Sequence, residues 1–234
     1  MDSEYAWASL RSRPEIADGQ GRAARGAIAS LHPLGAGFER AGHPTAGCLV
    51  DAPASHVVFW QDEVSPRLAL VEEGLVRAVR LSAGGERQIL CFFWPGDMVS
   101  PPGGDGPRFT AETVTRTRLR WLDRDDDRRR LGTERMLQEL VGLLGVMAHR
   151  SAPARLAWFL LRMRPHLPPA AARDEPDALR CIVPRADMAD HLGMASETVC
   201  RLLGEFRDLG MIALPTRKSI RFLEPNRLAR LARS

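Results

Sequence analysis

The segment between Pro184 and Asp208 constrains the fold of this 234-residue chain more than any other part of the sequence. In its first half Met188, Ala189 and Leu192 recur at helical spacing, and Gly193 follows as a residue that ends a helix by adopting positive φ. In its second half, where Ser196 is the expected N-cap, apolar residues line one face of another helix: Val199, Leu202, Leu203 and Phe206. The small Ala189, the turn at Gly193 and the branched Val199 have the spacing of a helix-turn-helix.

The polar face of the second helix carries candidate base-reading residues. Glu197 and Arg201 lie four residues apart and so share one face, with Cys200 beside Arg201. An arginine can bind the O6 and N7 atoms of guanine with two hydrogen bonds, and a glutamate can accept from the cytosine amino group. The alternative is a solvated ion pair on an ordinary surface helix. The helix-turn-helix spacing around these residues favours base reading in the major groove.

The composition bounds the class of protein. The chain has 33 basic and 29 acidic residues, and its net charge of +4 weakly favours a polyanionic partner. No apolar run approaches the roughly 20 residues that span a bilayer. The N-terminus lacks a basic start followed by an apolar core, so it is not a secretory signal. We therefore expect a cytoplasmic protein that makes no membrane contact.

The cysteines and histidines give no ligand set. The four cysteines lie far apart without CxxC spacing, which disfavours a disulfide framework and a zinc ribbon: Cys48, Cys91, Cys181 and Cys200. His32 and His43 precede Cys48 at irregular spacing, which is more typical of a loop than of a metal site. No nucleophile–base pair or phosphate loop is present either, so an enzyme is disfavoured and no metal site is predicted.

Hydrophobic patterning divides the chain into four parts. Residues 1–30 are polar, rich in Gly and Ala and without periodicity, and predict a loosely ordered arm. Residues 31–123 contain short β-prone runs separated by glycine-containing turns, which predicts a small antiparallel sandwich or barrel: HVVFW, RLALV, LVRAVRL, RQILCFFW and LRWL. Residues 124–152 predict a long helix, and residues 153–234 predict a DNA-binding domain that contains the helix-turn-helix.

The long helix carries an apolar strip in alternating steps of three and four. Its main members are Leu137, Leu140, Leu144 and Met147. A strip of this kind is typical of a heptad seam, which needs a partner helix. Burial against the chain's own barrel is the alternative, and both contacts can hold at once. These four residues are therefore the candidate contact surface for a partner helix.

The C-terminal part supplies candidate contacts to the DNA backbone. MIALPTRKSIRFL predicts two strands around a turn from Pro215 to Lys218, as in the wing of a winged helix. Arg217, Lys218 and Arg221 are well placed for phosphates, and an ordinary surface hairpin is the alternative. Ser196 and Thr198, at the start of the second helix, are further candidates for backbone contact.

The segment LALVEEGLVRAVRLSAGGERQILCFFWPGDMVS, from Leu68 to Ser100, resembles the CRP/FNR family of bacterial transcription regulators. The shared features are a hairpin that ends in Gly74, a Gly-Gly-Glu turn from Gly84 to Glu86, and a Pro-Gly-Asp turn from Pro95 to Asp97. The recognition helix also fits, because the family pattern Glu-x-x-Ser-Arg or Glu-x-x-Gly-Arg corresponds here to Glu197, Cys200 and Arg201. The resemblance implies an α+β protein with an N-terminal cyclic-nucleotide-binding-like β jelly roll, a long dimerisation helix and a C-terminal winged helix-turn-helix.

Departures from the family pattern bear on cofactors. Members that bind cyclic AMP carry an Arg-Ser-Ala or Arg-Thr-Ala segment, whereas Arg108 is followed here by Phe109 and Thr110, and Asp97 replaces the usual glutamate. We expect Arg108 to be a loop residue and the barrel not to bind cyclic AMP. Iron–sulfur members need several closely spaced cysteines, so Cys91 is expected to be a buried apolar residue. The chain most resembles the cluster-free, FixK-like branch, and no cofactor is predicted.

The resemblance implies a transcription regulator, with activation favoured, that binds double-stranded DNA as a homodimer and contacts RNA polymerase. Glu197 and Arg201 would read a palindrome of the TTGA-N6-TCAA type. Cys200 replaces the usual serine or glycine, which makes it a candidate redox switch, although a tolerated small side chain is the simpler interpretation. A ligand-gated regulator, whose barrel binds a cyclic nucleotide or another small effector, is the alternative function.

Overall fold

The computed structural model describes residues 44–61, 67–82, 85–99, 108–123, 126–170 and 177–234. The predicted arm at residues 1–30, together with His32 and His43, lies outside these ranges. So does the segment 101–107, where a cyclic-nucleotide cradle would be sought. Among the described helices none is long and apolar enough to cross a membrane.

The N-terminal domain is a sandwich of two four-stranded antiparallel sheets. One sheet has the order β1-β8-β3-β6, formed by Leu49–Ala52, Thr117–Asp123, Arg67–Glu73 and Met98–Val99. The other has the order β2-β7-β4-β5, formed by Val57–Phe59, Thr110–Thr113, Val76–Leu81 and Arg87–Phe93. Gly74 lies in the β3–β4 turn with φ of 94°, and a Cβ there would lie 2.6 Å from the Arg116 carbonyl oxygen, so this turn requires glycine.

The interior of the sandwich is filled by side chains from both sheets. Alternate residues of each strand point inward, as the period of two requires. Aromatic rings fill much of the space, with Phe59 and Trp121 in edge contact at 5.5 Å and Phe93 and Phe109 at 6.1 Å. Cys91 is buried in this core, as predicted. Burial raises the pKa of its thiol to about 12, which keeps the thiol protonated and unreactive.

In the described part of the chain, four α-helices and a small sheet follow the sandwich before the last helix. The long helix, α1, spans Arg128–His149, and α2 spans Ala152–Met163, with Pro153 in its first turn. The chain leaves the helical conformation at Arg150 and Ser151, between these two helices. A 3₁₀ turn covers Arg164–His166, and the short strand β9 covers Leu179–Arg180.

The C-terminal domain is a winged helix. Helix α3 spans Arg185–Leu192, α4 spans Ser196–Asp208 and α5 spans Pro225–Arg233. Strands β10 (Ile212–Ala213) and β11 (Ser219–Phe222) form the wing, and β11 also pairs with β9 in a three-stranded sheet of order β10-β11-β9. The predicted wing is confirmed.

A second apolar core joins the outside of the sandwich to the helices. Of the described residues, those up to Arg80 and those from Arg87 onward belong to one compact unit. Within it, side chains from β4 and β5 pack with α1, α2 and the winged helix: Val79, Ile89, Phe92, Leu143, Leu156, Phe159, Leu192 and Phe206. The DNA-binding domain therefore shares its core with the barrel, which fixes the orientation of α3.

Candidate nucleic-acid interface

The helix-turn-helix forms as the sequence predicts, with one local difference. Ala189 and Val199 are buried where α3 and α4 cross, and Gly193 adopts φ of 59° and ψ of 48° in the turn. The difference lies at the N-cap of α4, which is Ala195 and makes no side-chain capping bond. The prediction of Ser196 as the N-cap is therefore wrong, because the helix begins one residue earlier than the hydroxyl would require.

The exposed face of α4 presents the predicted base-reading residues together. Glu197, Cys200 and Arg201 are all exposed, whereas Ser196 and Thr198 in the first turn are half-buried. The four apolar residues of the opposite face are buried, so the helix cannot rotate to hide its polar face. Glu197, Cys200 and Arg201 therefore lie on one accessible helix surface.

The charge pairing on α4 differs from the Glu197–Arg201 ion pair that was the alternative to base reading. Arg201 forms its ion pair with Glu205, one turn further along, and not with Glu197. Both side chains of the pair are largely exposed, with 62% and 47% of their surface accessible. Exposed pairs of this kind contribute only a few tenths of a kcal/mol. The guanidinium of Arg201 can therefore exchange Glu205 for a base edge at little cost.

Arg185 is a candidate contact residue that the sequence analysis missed. It is the first residue of α3, and its guanidinium Nη1 lies 3.5 Å from the Sγ atom of Cys200. This contact brings a cation from the first helix to the accessible face of the second. The signal that could have found it is position, since a basic residue at the start of the first helix lies beside the reading helix in this motif.

The wing holds its cations on a turn with internal hydrogen bonds. The backbone N–H of Thr216 donates to Ser219 Oγ at 2.9 Å, and the N–H of Lys218 donates to Thr216 Oγ1 at 3.1 Å. Arg217 and Lys218 are exposed at the tip, and Arg221 is half-buried on β11. The structure thus groups Arg217 and Lys218 on one exposed turn.

Ion pairs from the barrel hold the first helix of the motif. Asp187 of α3 is 2% exposed and accepts hydrogen bonds from Arg77 of β4 at 2.5 Å and Arg87 of β5 at 3.0 Å. Arg77 also binds the buried Glu112 of β7 at 2.9 Å, and Arg87 also binds Asp190. The pKa of Arg77 is raised by the two carboxylates, which outweigh the opposing effect of its burial. The helix-turn-helix is therefore anchored to two strands of the barrel.

Arg155 and Met147 connect the end of α1 to the motif. The guanidinium of Arg155 on α2 donates to the carbonyl oxygens of Met147 at 3.2 Å, Arg150 at 3.0 Å and Leu192 at 3.4 Å. A Cβ at Gly193 would lie 2.5 Å from Met147 Cε, so Met147 packs closely against the turn. The carbonyl-rich ends of α1 and α3 are thus joined by one cation.

The apolar strip on α1 is only partly in the predicted position. Leu137 and Leu144 are exposed, with 60% and 68% of their surface accessible, and Leu140 is half-buried. Met147 instead packs against the core of its own chain. Val141, which the sequence analysis placed outside the main strip, is 59% exposed between Leu137 and Leu144. The accessible strip therefore consists of Leu137, Val141 and Leu144, with Leu140 at its edge.

The remaining candidate residues lie in the barrel domain. Arg108 is exposed in an irregular bend next to the buried Phe109, as expected for a loop residue. Cys48 is exposed, and its Sγ lies 3.1 Å from Thr45 Oγ1. In the part of the chain that the structure describes, no group of three or more His, Cys, Asp or Glu side chains could hold a metal ion.

Comparisons with known proteins agree with this architecture. Residues 154–231 match the family model of the Crp-like helix-turn-helix domain. The nitrogen fixation regulation protein FixK of Azorhizobium caulinodans is 30% identical over 189 residues, which cover 74% of this chain and 75% of the relative. The CRP-like cAMP-activated global transcriptional regulator of Mycobacterium tuberculosis is 30% identical over 203 residues, or 79% of this chain and 88% of the relative.

A solved structure supports the same assignment at the level of the fold. FixK2 from Bradyrhizobium japonicum superimposes with a TM-score of 0.72 at 24% identity, covering 80% of this chain and 98% of that one. The fold of this chain is therefore similar to that of FixK2 over most of its length. The chain belongs to the CRP/FNR family of bacterial transcription regulators and is FixK-like within it.

Proposed function

We propose that this regulator binds a palindrome of the TTGA-N6-TCAA type as a homodimer and activates transcription from it. The observation that carries the proposal is the exposed surface of Glu197, Cys200 and Arg201 on a recognition helix whose other face is fully buried. Arginine and glutamate match the donor and acceptor pattern of a G·C pair in the major groove. Arg185 beside Cys200, and Arg217 and Lys218 on the wing, supply the cations for flanking phosphates.

A second copy of the chain is the natural partner for the accessible strip on α1. Leu137, Val141 and Leu144 recur at steps of four and three along one face, which is the spacing of a coiled-coil seam. Two-fold symmetry then presents two recognition helices to two inverted half-sites about one helical turn apart. The N6 spacing of the proposed palindrome fits this requirement.

Binding-site selection with the parent protein and Arg201→Ala tests the base-reading assignment. The parent should select inverted half-sites, and Arg201→Ala should relax the selection at one base pair of each half-site. Arg207→Ala is the matched control, because Arg207 is exposed in the last turn of the same helix. It should keep the parent's selected sequence. A motif that Arg201→Ala leaves unchanged would contradict the assignment.

We infer that activation proceeds through contact with RNA polymerase in the cytoplasm. Support comes from a 30% identical relative in Rhodopseudomonas palustris that is named transcriptional activatory protein AadR. Transcription in vitro from a promoter that carries the selected site should rise when the protein is added. A fall in transcript from the same template would assign repression instead.

We further propose that oxidation of Cys200 weakens DNA binding. Its thiol is exposed on the reading face and lies 3.5 Å from the guanidinium of Arg185. Hydrogen peroxide oxidises a thiolate to a sulfenic acid and is itself reduced to water, which enlarges the side chain within the groove. Gel-shift titrations should show peroxide sensitivity in the parent and not in Cys200→Ser. Equal sensitivity of the two proteins would reject the switch.

Gating by a ligand inside the barrel is the second candidate function. It is favoured by the name of the Mycobacterium tuberculosis relative, which describes activation by cyclic AMP. Against it, Phe93, Phe109 and Trp121 occupy the interior of the sandwich. A thermal-unfolding titration with cyclic AMP separates the two functions, because a ligand that binds only the folded barrel raises its unfolding temperature. We expect no shift.

A further inference from the structure

A large cleft lies between the barrel and the wing. Its volume is about 1120 Å³. On the barrel side it is bounded by the β3–β4 turn, which includes Gly74, and by the β7–β8 turn, which includes Arg116. On the other side it is bounded by β9, the start of α3 and the turn of the wing. The cleft therefore spans two domains whose relative position is set by the Asp187 ion pairs.

Positive charge exceeds negative charge around the cleft. Five cations line it without a carboxylate partner among the residues that the structure describes: Arg116, Arg180, Arg185, Arg217 and Lys218. Its two acidic side chains are already engaged, Glu72 with Arg120 at 2.5 Å and Glu73 with Arg118 at 3.0 Å. Several other arginines of the barrel are paired with carboxylates, such as Arg67 with Asp123 and Arg77 with Glu112. The cleft thus concentrates positive charge that the protein itself does not neutralise.

The inner wall of the cleft is apolar. It is formed by side chains of the second core and by the edge of the wing: Leu160, Val183, Met188, Leu203, Leu214 and Ile220. An apolar wall below a rim of cations suits an amphipathic anion, because the ring of such a ligand can bury apolar surface while its phosphates meet the guanidinium groups. A free inorganic anion would contact the cations but would leave the apolar wall uncovered.

We propose that this cleft binds a small amphipathic polyanion of the nucleoside polyphosphate class. Known ligand pockets have volumes of roughly 300–1,000 Å³, so the space is sufficient for a nucleotide. A cleft lined by one sign of charge also raises the local concentration of its counter-ion. Arg116 binds the ligand from the barrel, and Arg180, Arg217 and Lys218 bind it from the C-terminal domain.

Binding of this ligand would affect DNA binding, a consequence that rests on the proposed DNA interface. Arg217 and Lys218 are also the cations that the proposed function assigns to DNA phosphates, so the nucleotide and the DNA compete for the wing. Arg116 lies on the barrel and has no place in the proposed DNA interface. It therefore distinguishes a ligand in the cleft from simple displacement of DNA phosphates by any anion.

Calorimetric titration of the full chain with adenosine triphosphate and with inorganic triphosphate tests the site. Adenosine triphosphate should bind saturably and more tightly than inorganic triphosphate, because only the nucleotide covers the apolar wall. Arg116→Ser should weaken its binding by about tenfold or more, as expected for a lost charge-assisted contact. Arg108→Ser is the matched control, since Arg108 is exposed on the same domain and does not line the cleft. It should bind as the parent does.

A DNA competition assay separates failure of this site from failure of the proposed function. Adenosine triphosphate should displace operator DNA from the parent and much less from Arg116→Ser, while both proteins bind DNA equally without nucleotide. Absence of saturable binding of either triphosphate, or equal affinity in the parent and Arg116→Ser, would overturn the inference and leave the DNA-binding assignment standing. Failure of the parent to bind any DNA would instead reject the proposed function.

Discussion

His191 shows at the scale of one residue how the barrel changes the chemistry of the helix-turn-helix. It lies on α3, is 7% exposed and has its Nδ1 atom 3.1 Å from the carbonyl oxygen of Ile89 on β5. A neutral imidazole that donates from Nδ1 satisfies this carbonyl. The rings of Phe92 and Phe159 lie 5.4 Å and 5.1 Å from it. Burial lowers the pKa of His191 to about 4, because the charged form would lose its hydration.

We predict that His191 makes the protein less stable in mild acid. Between about pH 4 and 6.5, the ordinary pKa of a histidine, the unfolded chain binds a proton at this residue and the folded chain does not. The free energy of unfolding therefore falls as the pH decreases through this window, at a rate of up to roughly 1.4 kcal/mol per pH unit. The contribution is fully present above pH 6.5.

Denaturant unfolding of the parent and His191→Gln at several pH values measures this contribution. Glutamine keeps an N–H donor and does not titrate, so the variant should lose part of the acid sensitivity. The neighbouring Asp187 and Asp190 are present in both proteins, so their contribution cancels in the difference. Identical pH dependence in the two proteins would show that the folded state tolerates a protonated His191.

The helix-turn-helix illustrates which residues could be predicted from the sequence. Ala189, Gly193 and Val199 are recognisable because their roles depend on neighbours within one motif. The burial of Asp187 and His191 was not predictable, since it depends on strands that lie about a hundred positions earlier in the chain. The same holds for Glu205 as the partner of Arg201, because both Glu197 and Glu205 lie four residues from that arginine and the sequence does not choose between them.

At the scale of elements, ion pairs join the barrel to the first helix of the motif. Arg77 bridges two buried carboxylates, Glu112 and Asp187, and its own side chain is 14% exposed. Removal of one member of a buried pair leaves the other charge without compensation. The cluster is therefore expected to contribute to stability far more than the exposed pairs elsewhere on the same sheets.

We predict that Arg77→Met lowers the free energy of unfolding by about 3–5 kcal/mol. The substitution removes the cation that the buried Glu112 and Asp187 share, while Asp187 keeps Arg87. Arg118→Met is the matched control, because Arg118 is an exposed arginine of the same domain that pairs with Asp51 and Glu73. It should leave the unfolding transition essentially unchanged. Equal losses in the two variants would contradict a special role for the buried cluster.

Five of the eight described strands of the barrel were predicted from the sequence and three were not, for a physical reason. The five long apolar runs correspond to β2, β3, β4, β5 and β8, but β1, β6 and β7 were missed. Strand β7 reads Thr-Ala-Glu-Thr, and its polar residues are buried because Arg77 binds Glu112 and because Thr113 bonds to the Pro53 carbonyl at 2.6 Å. Strand β6 has two residues and forms only by pairing with β3. Tertiary contacts create these strands, and local propensity does not reveal them.

The accessible strip on α1 predicts how the protein assembles. Glutamates in place of Leu137 and Leu144 should prevent the helices of two copies from packing, because each would bury an uncompensated charge in the seam. Sedimentation equilibrium should find a dimer for the parent and a monomer for the double variant. Leu49→Glu is the control, since Leu49 is 52% exposed on β1, and it should remain dimeric. A dimeric double variant would place the interface elsewhere.

In the whole molecule, a continuous set of contacts connects the accessible strip on α1 to the barrel. It includes the hydrogen bonds of Arg155 and the ion pairs of Asp187. Helix α1 leads to Met147, which packs on the turn at Gly193, and Arg155 joins the ends of α1 and α3. The barrel holds α3 from its other side through Arg77 and Arg87. In a two-fold dimer these contacts fix both recognition helices relative to the symmetry axis. The spacing between half-sites should therefore be rigidly specified.

Binding of a symmetric dimer to a spaced palindrome can be tested directly with two DNA duplexes. One carries the TTGA-N6-TCAA site, and the other carries the same site with five base pairs inserted between the half-sites. Fluorescence anisotropy at one stated salt concentration measures the affinity for both, since such affinities fall steeply with ionic strength. The insertion places the half-sites on opposite sides of the helix. We expect the protein to bind the lengthened duplex at least about tenfold more weakly than the TTGA-N6-TCAA duplex. Equal affinity for the two duplexes would contradict a symmetric dimer that reads a spaced palindrome.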